Sequence, residues 1–238
     1  MFRILGTEYL FAKNEIKKLD KKVVTIFISS IILFTFSWYF SSPKYFIQHF
    51  RNQNVTSELS SFIYWFTVDI ILFFGIPFLI IKYFFKQSLS KYGINLNFNF
   101  TGFLVFGFSI IFFLPIIFYL SQSENFIEYF PLMQSAKEDV HIFIIYEISF
   151  IIFIFAWEFI FRGFLLFGLE EKFGIYSIFI QMIPFVILHN GKPFIETFAS
   201  IFGGIFLGYL ALRFRTIIYG FLIHAIILGT LDFLAYIK

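Results

Sequence analysis

Long apolar windows recur along this chain of 238 residues, and they constrain its fold more than any other feature. An α-helix needs about 20 mostly apolar residues to cross a bilayer. Seven windows of near-spanning length are predicted helices, at residues 23–40, 62–81, 102–120, 140–169, 175–189, 196–212 and 217–237. The sequence therefore predicts an all-α, polytopic transmembrane helix bundle with about seven spans.

Composition agrees with this class of protein. Hydrophobic residues make up 59% of the chain and charged residues 14%, whereas soluble domains carry about 25% charged residues. We predict a basic cytosolic segment at 1–22, N-terminal transmembrane helices and loops at 23–139, and a core at 140–238. The chain has no cysteine, so a nucleophile or a metal site would depend on His, Asp, Glu, Ser or Thr.

Lysine and arginine are distributed unequally between alternate loops. With the N-terminus in the cytosol, the cytosolic side holds 12 of them and the other side five. The five are Lys44, Arg51, Lys137, Lys192 and Lys238. Because cytosolic loops are enriched in basic residues, we predict a multi-pass cell-membrane protein with a cytosolic N-terminus and an external C-terminus. The net charge of +3 is then a topology signal, and no nucleic-acid partner is predicted.

Ionisable side chains inside the predicted spans are few. Such groups are costly in a bilayer and are usually paired or functional. They are Asp69, Glu147, Glu158, Arg162, His189, His224 and Asp232. We interpret Asp69 and Glu147 as partners inside the bundle and the other five as candidate site residues. The small residues Ser200, Gly204 and Gly208, spaced four apart, predict a close contact between helices.

Glu158 and Arg162 stand four residues apart, so they can pair across one helical turn, with Gly163 opening space beside the arginine. His189 ends the next helix, where Gly and Pro follow. His224 lies in the last helix, and Asp232 could face the same cavity. At ~1.5 Å per residue, Glu158 and both histidines fall at similar depths, near the midplane or in the cytosolic half.

One carboxylate and two imidazoles on three helices predict a water-activating or metal site, in a cavity open toward the cytosol. The segments that carry them are Trp157-Glu158-Phe159-Ile160-Phe161-Arg162-Gly163, Phe185-Val186-Ile187-Leu188-His189 and Phe221-Leu222-Ile223-His224.

In these segments the chain resembles the CPBP family of intramembrane proteases. The family includes type II CAAX prenyl endopeptidases and bacteriocin-processing and self-immunity proteins. Its motifs are Glu-Glu-x-x-x-Arg, Phe-x-x-x-His and a later His followed four residues on by a small or polar residue, often Asn. The resemblance covers about residues 140–235, and the loop at Lys91-Tyr92-Gly93 is also similar. Two positions depart from the pattern: Trp157 replaces the first Glu, and Leu228 replaces the small or polar residue.

The resemblance implies an intramembrane endopeptidase, metallo- or glutamate-dependent, that acts on a peptide or protein substrate in contact with the lipid bilayer. In this assignment Glu158 and His189 would position and deprotonate a water, and Arg162 would hold Glu158 ionised. His224, with Asp232, would donate to the oxyanion. Alternatively, Glu158, His189 and His224 would bind a divalent metal such as zinc, as in a metalloprotease.

Two other functions stay open at this level. A non-catalytic immunity or scaffold protein of the same fold, binding a peptide or a partner, is favoured by Trp157. A small transporter or proton channel would use the intramembrane acids as a relay, but the sequence has no evident internal repeat of the kind common in transporters.

Overall fold

The computed structural model describes residues 2–50 and 58–238, and the regular structure in these ranges is helical apart from an isolated bridge between Asn190 and Lys192. The helices are α1 (Phe2–Lys17), α2 (Lys21–Phe40), α3 (Pro43–Phe50), α4 (Glu58–Phe84), α5 (Phe100–Leu120), α6 (Glu124–Tyr129), α7 (140–173), α8 (Ser177–Ile187), α9 (Phe194–Phe214) and α10 (Ile218–Tyr236).

Six helical runs in the described part of the chain are long and apolar enough to cross a membrane. They confirm the all-α polytopic bundle, although the count is six rather than about seven. The difference lies at 140–187, where two helices were predicted and one unbroken run of helical residues is found.

This run folds back on itself. The ring centroids of Phe161 and Phe185 are 5.2 Å apart, whereas a straight helix would separate them by about 36 Å. The reversal falls at Gly174, whose φ of 54° and ψ of −133° suit a residue without a side chain. Helix α8 therefore packs back along the second half of α7.

The loop between α4 and α5 fixes the start of α10. Gly93 O accepts from the Ile217 amide at 3.0 Å, and Asn95 Nδ2 donates to Arg215 O at 2.7 Å. Gly93 has a φ of 79°, and a Cβ there would lie 2.5 Å from the Phe167 ring. Only glycine fits this close approach, so the Lys91-Tyr92-Gly93 loop positions two helices of the core.

Contacts at the helix ends group the loops on two faces. Lys22 lies 3.3 Å from Glu171, and Arg215 lies 2.6 Å from Glu170, so the start of α2 shares a face with the ends of α7 and α9. At the other end of α5, Lys238 Nζ donates to Ser121 O. The start of α2 and the C-terminus thus lie at opposite faces. Arg51, counted in the charge distribution, lies outside the described residues.

Helices α8 and α9 pack closely along the predicted stripe of small residues. A Cβ on Gly204 would lie 3.0 Å from Met182 Cγ, and one on Gly208 would lie 3.1 Å from Gln181 Nε2. Gln181 Nε2 also donates to Gly204 O at 2.8 Å. The absence of side chains lets the two backbones approach, which confirms the predicted helix contact.

Candidate active site

Glu158 is the centre of a buried polar network. Its side chain is fully buried, and its Oε1 accepts from Arg162 Nη1 at 3.2 Å and from His224 Nδ1 at 2.7 Å. A buried carboxylate is stable only when it is paired and hydrogen-bonded. The guanidinium and the imidazole meet that requirement from two different helices.

The local helix geometry changes just after Glu158. The segment Phe159–Phe167 is a π-helix of nine residues, and all of them are buried. Short π-helical stretches are rare and occur frequently at functional sites. Within it Arg162 is fully buried, with its guanidinium carbon 4.1 Å from the centroid of the Phe185 ring. The cation is therefore held by Glu158 and by an aromatic face.

The space that Gly163 leaves lies next to Phe159 and to the loop between α4 and α5. A Cβ there would lie 2.5 Å from the Phe159 ring and 3.2 Å from Tyr92 O. The glycine therefore admits Phe159 and the loop between α4 and α5. That the same glycine opens space beside Arg162 stays a prediction.

His224 reaches Glu158 from α10. One turn earlier, Gly220 has no side chain, and a Cβ there would lie 3.6 Å from Glu158 Oε2. An ionised carboxylate only accepts hydrogen bonds, so the proton of this contact is on His224 Nδ1, and in the neutral ring Nε2 carries the lone pair. The His224 side chain is 14% exposed, while that of Glu158 is 0% exposed.

His189 lies two residues beyond the end of α8. Its Nδ1 is 2.7 Å from Phe185 O, so this nitrogen donates and Nε2 is again the acceptor. The His189 carbonyl accepts from Thr197 Oγ1 at 2.8 Å, and Gly191 turns the chain with a φ of 98°. This turn places the His189 imidazole just beyond the C-terminal end of the short helix α8.

Phe185 joins the parts of the site. Its ring centroid lies 4.5 Å from that of His189 and 6.4 Å from that of His224, and its face covers Arg162. Phe185 is the first residue of the second motif, but the sequence analysis did not predict it as a site residue. Its four-residue spacing from His189 was the signal, because a carbonyl at that position can accept from the histidine ring.

Trp157 stands where the family motif has its first Glu, so an indole ring replaces a carboxylate at this position. Its ring stands edge-on to that of His189, with centroids 6.0 Å apart, and packs at 5.2 Å from Phe161 and 6.2 Å from Phe185. The side of the site next to His189 is therefore apolar.

Asp232 lies in a different contact from the one predicted. It accepts from Tyr146 Oη at 3.3 Å and lies against Glu147. The structure thus brings Glu158, Arg162, His189 and His224 around Phe185, and it places Asp232 in a second polar contact. Asp69, the other predicted bundle partner, accepts from Trp65 Nε1 at 2.8 Å.

The predicted metal ligands do not form a three-ligand set in this arrangement. Across residues 2–50 and 58–238, no group of three His, Cys, Asp or Glu side chains is arranged to hold a metal ion. Glu158 is already bound by Arg162 and His224. The two free Nε2 atoms could serve as ligands, and the metal-dependent alternative stays a prediction.

The fold and this site define a multi-pass membrane protein with a buried Glu–Arg–His network. Residues 139–228 match the family model described as type II CAAX prenyl endopeptidase Rce1-like. The matched segment contains Glu158, Arg162, His189 and His224 and ends before Asp232. The match confirms the resemblance to the CPBP family of intramembrane proteases. Comparison with curated proteins and with solved structures gives no match.

Proposed function

We propose that this protein is a CAAX-type intramembrane endopeptidase that hydrolyses peptide bonds of a membrane-associated or peptide substrate. The observation that carries the proposal is the contact of His224 Nδ1 with Glu158 Oε1 at 2.7 Å. A carboxylate bound to one imidazole nitrogen fixes the tautomer and orientation of the ring, and it stabilises the imidazolium that forms when the other nitrogen takes a proton.

Burial favours a different division of roles from the one that the sequence suggested. Glu158 is fully buried, and His224 is partly exposed. The group that takes a proton from water must reach that water directly or through one other water. His224 Nε2 is therefore the proposed general base, and Glu158 acts through it.

The reaction follows from these roles. His224 Nε2 accepts a proton from a water as the water oxygen attacks the scissile carbonyl carbon. The resulting imidazolium is stabilised by Glu158, whose own charge is maintained by Arg162. The proton then passes from His224 to the leaving amine nitrogen as the carbon–nitrogen bond breaks, which regenerates the neutral imidazole. His189 Nε2, also an acceptor, orients the same water.

Arg162 is a positioning residue in this proposal. Its guanidinium is stacked on Phe185 and bonded to Glu158 Oε1. It fixes the carboxylate at the distance that His224 needs. Removing it would leave the buried carboxylate without its cation, so that the carboxylate would neutralise and lose its hold on the imidazolium.

One observation favours a non-catalytic protein of the same fold, which would bind a peptide or a partner. Trp157 replaces a carboxylate of the family motif and packs against His189. In that case the buried network would serve stability alone, and its histidines could be exchanged without loss of function.

The test is cleavage of a peptide library by purified protein in lipid nanodiscs, with fragments identified by mass spectrometry. We expect discrete cleavage by the wild type and none by His224→Ala. His141→Ala is the matched control, because His141 is an exposed histidine near the start of α7. Equal cleavage by wild type and folded His224→Ala protein would overturn the proposal, as would binding of peptides without any cleavage.

A further inference from the structure

A second polar contact joins the helices that carry Glu158 and His224. Helices α7 and α10 run antiparallel: the rings of Phe143 and Tyr236 stack at 4.5 Å, and those of Phe155 and Phe221 meet edge-on at 5.4 Å. Between these ring contacts the two helices bring Glu147 and Asp232 together. The mechanism proposed above does not use this pair.

The Glu147 carboxyl lies against α10 close to Asp232: a Cβ on Gly229, three residues before Asp232, would lie 3.5 Å from Glu147 Oε2, and the two acids are electrostatic neighbours. Asp232 is fully buried, and Tyr146 Oη donates to its Oδ2. Its Oδ1 and Glu147 Oε1 are also buried, and among the described residues no N–H or O–H group donates to either oxygen. Two adjacent carboxyl groups in apolar surroundings do not both ionise. One shared proton supplies the missing donor.

Other elements also present charged and titratable groups to this pair. Lys192 and Glu196, around the start of α9, lie within electrostatic range of Asp232, and they are bonded to each other. Tyr129 of α6 lies within electrostatic range of Glu196 and Asp232, and its burial, together with these two acids, raises its pKa well above the usual value. Tyr129 therefore stays neutral, and the lysine charge is already engaged by Glu196.

We propose that Glu147 and Asp232 share one proton and that this hydrogen-bonded pair holds α10 against α7, positioning His224 on Glu158. Loss of the proton would place two negative charges side by side and separate the helices. The stability that the shared proton contributes is therefore present at low and neutral pH and is lost as pH rises.

The test compares pH profiles of thermal unfolding for purified protein in nanodiscs. The wild type should lose stability toward alkaline pH. In Glu147→Gln the amide donates permanently to Asp232, so the alkaline loss should be abolished. Asp69→Asn is the matched control, since Asp69 is an intramembrane carboxylate that accepts from Trp65 rather than from a second acid. It should keep the wild-type alkaline loss.

The pH dependence of cleavage is a second measurement, and it would not change if the pair had no part in positioning His224. If the proposed proteolysis holds, Glu147→Gln should stay active at alkaline pH values where the wild type declines several-fold. The unfolding profile does not depend on proteolysis, so the two proposals fail separately. An alkaline loss in Glu147→Gln equal to that of the wild type overturns the shared proton.

If Glu147→Gln does not fold, two further measurements test the shared proton. Asp232→Asn places the amide on the other helix and should also remove the alkaline loss. In folded Asp69→Asn protein at neutral pH, the infrared spectrum should contain the carbonyl stretch of a protonated carboxylic acid. Absence of that band overturns the proposal without any change at Glu147 or Asp232.

Discussion

His224 and Glu158 are 66 positions apart in the chain, yet His224 Nδ1 lies 2.7 Å from Glu158 Oε1. The contact crosses from α10 to α7 at the start of a π-helical segment. It orients the imidazole with Nε2 free, and it leaves the carboxylate buried behind the histidine. The proposed chemistry depends on this single relationship.

Substitutions at Glu158, His189 and His224 should affect cleavage as a unit. We expect each alanine variant to lower kcat/KM by about 10²–10⁴-fold, because each removes part of the proton-transfer arrangement. The double variant Glu158→Ala/His224→Ala should be no slower than the worse single variant. Steady-state kinetics on folded, monodisperse protein check this, and effects that multiply would contradict a shared role.

The buried ion pair should show strong coupling in stability. Arg162→Leu removes the cation that pairs with the buried Glu158, and Glu158→Leu removes the anion that pairs with the buried Arg162. Breaking a buried ion pair in this way costs about 3–5 kcal/mol. The double variant removes both charges and should be less destabilised than either single variant. Reversible unfolding in detergent measures all three, and simple additivity would show that the two side chains do not depend on each other.

Two glycines of α5 should respond oppositely to alanine. A Cβ on Gly102 would lie 2.4 Å from the Tyr219 ring, so Gly102→Ala should destabilise the fold by about 1–3 kcal/mol. Gly107 has no atom within 4 Å of a Cβ position. Gly107→Ala should therefore be neutral or stabilise by up to about 1 kcal/mol. Equal thermal shifts in the two variants would contradict the packing of α5 on α10.

A chelator distinguishes the histidine-base mechanism from the metal-dependent alternative. With His224 as base, cleavage should continue after prolonged treatment with a strong zinc chelator. Loss of cleavage that is restored by added zinc would support Glu158, His189 and His224 as metal ligands instead. Metal analysis of the purified protein provides a reading that does not depend on activity.

The charge count predicts the orientation in the membrane. We expect a cytosolic N-terminus and an external C-terminus, since 12 basic residues fall on one side and five on the other. Reporter fusions at both ends check this prediction. A reporter that is active in the cytosol when fused after Lys238 would contradict it.

The sequence by itself determined the class of protein and the pairing of site residues that lie on the same helix. Apolar windows of spanning length predicted the bundle, and the four-residue spacing of Glu158 and Arg162 predicted a pair that the helix repeat makes close. The family motifs singled out His189 and His224. Each of these inferences depends on residues near one another in the chain.

The tertiary structure decided how the helices meet. The chain reverses direction at Gly174 within the continuous helical run, so α8 packs against α7. This reversal brings Phe185 against Arg162 and the two histidines. The tertiary structure also decided that Asp232 accepts from Tyr146. Contacts between helices depend on which faces pack together and on where small residues let backbones approach. No spacing within a single helix encodes that choice.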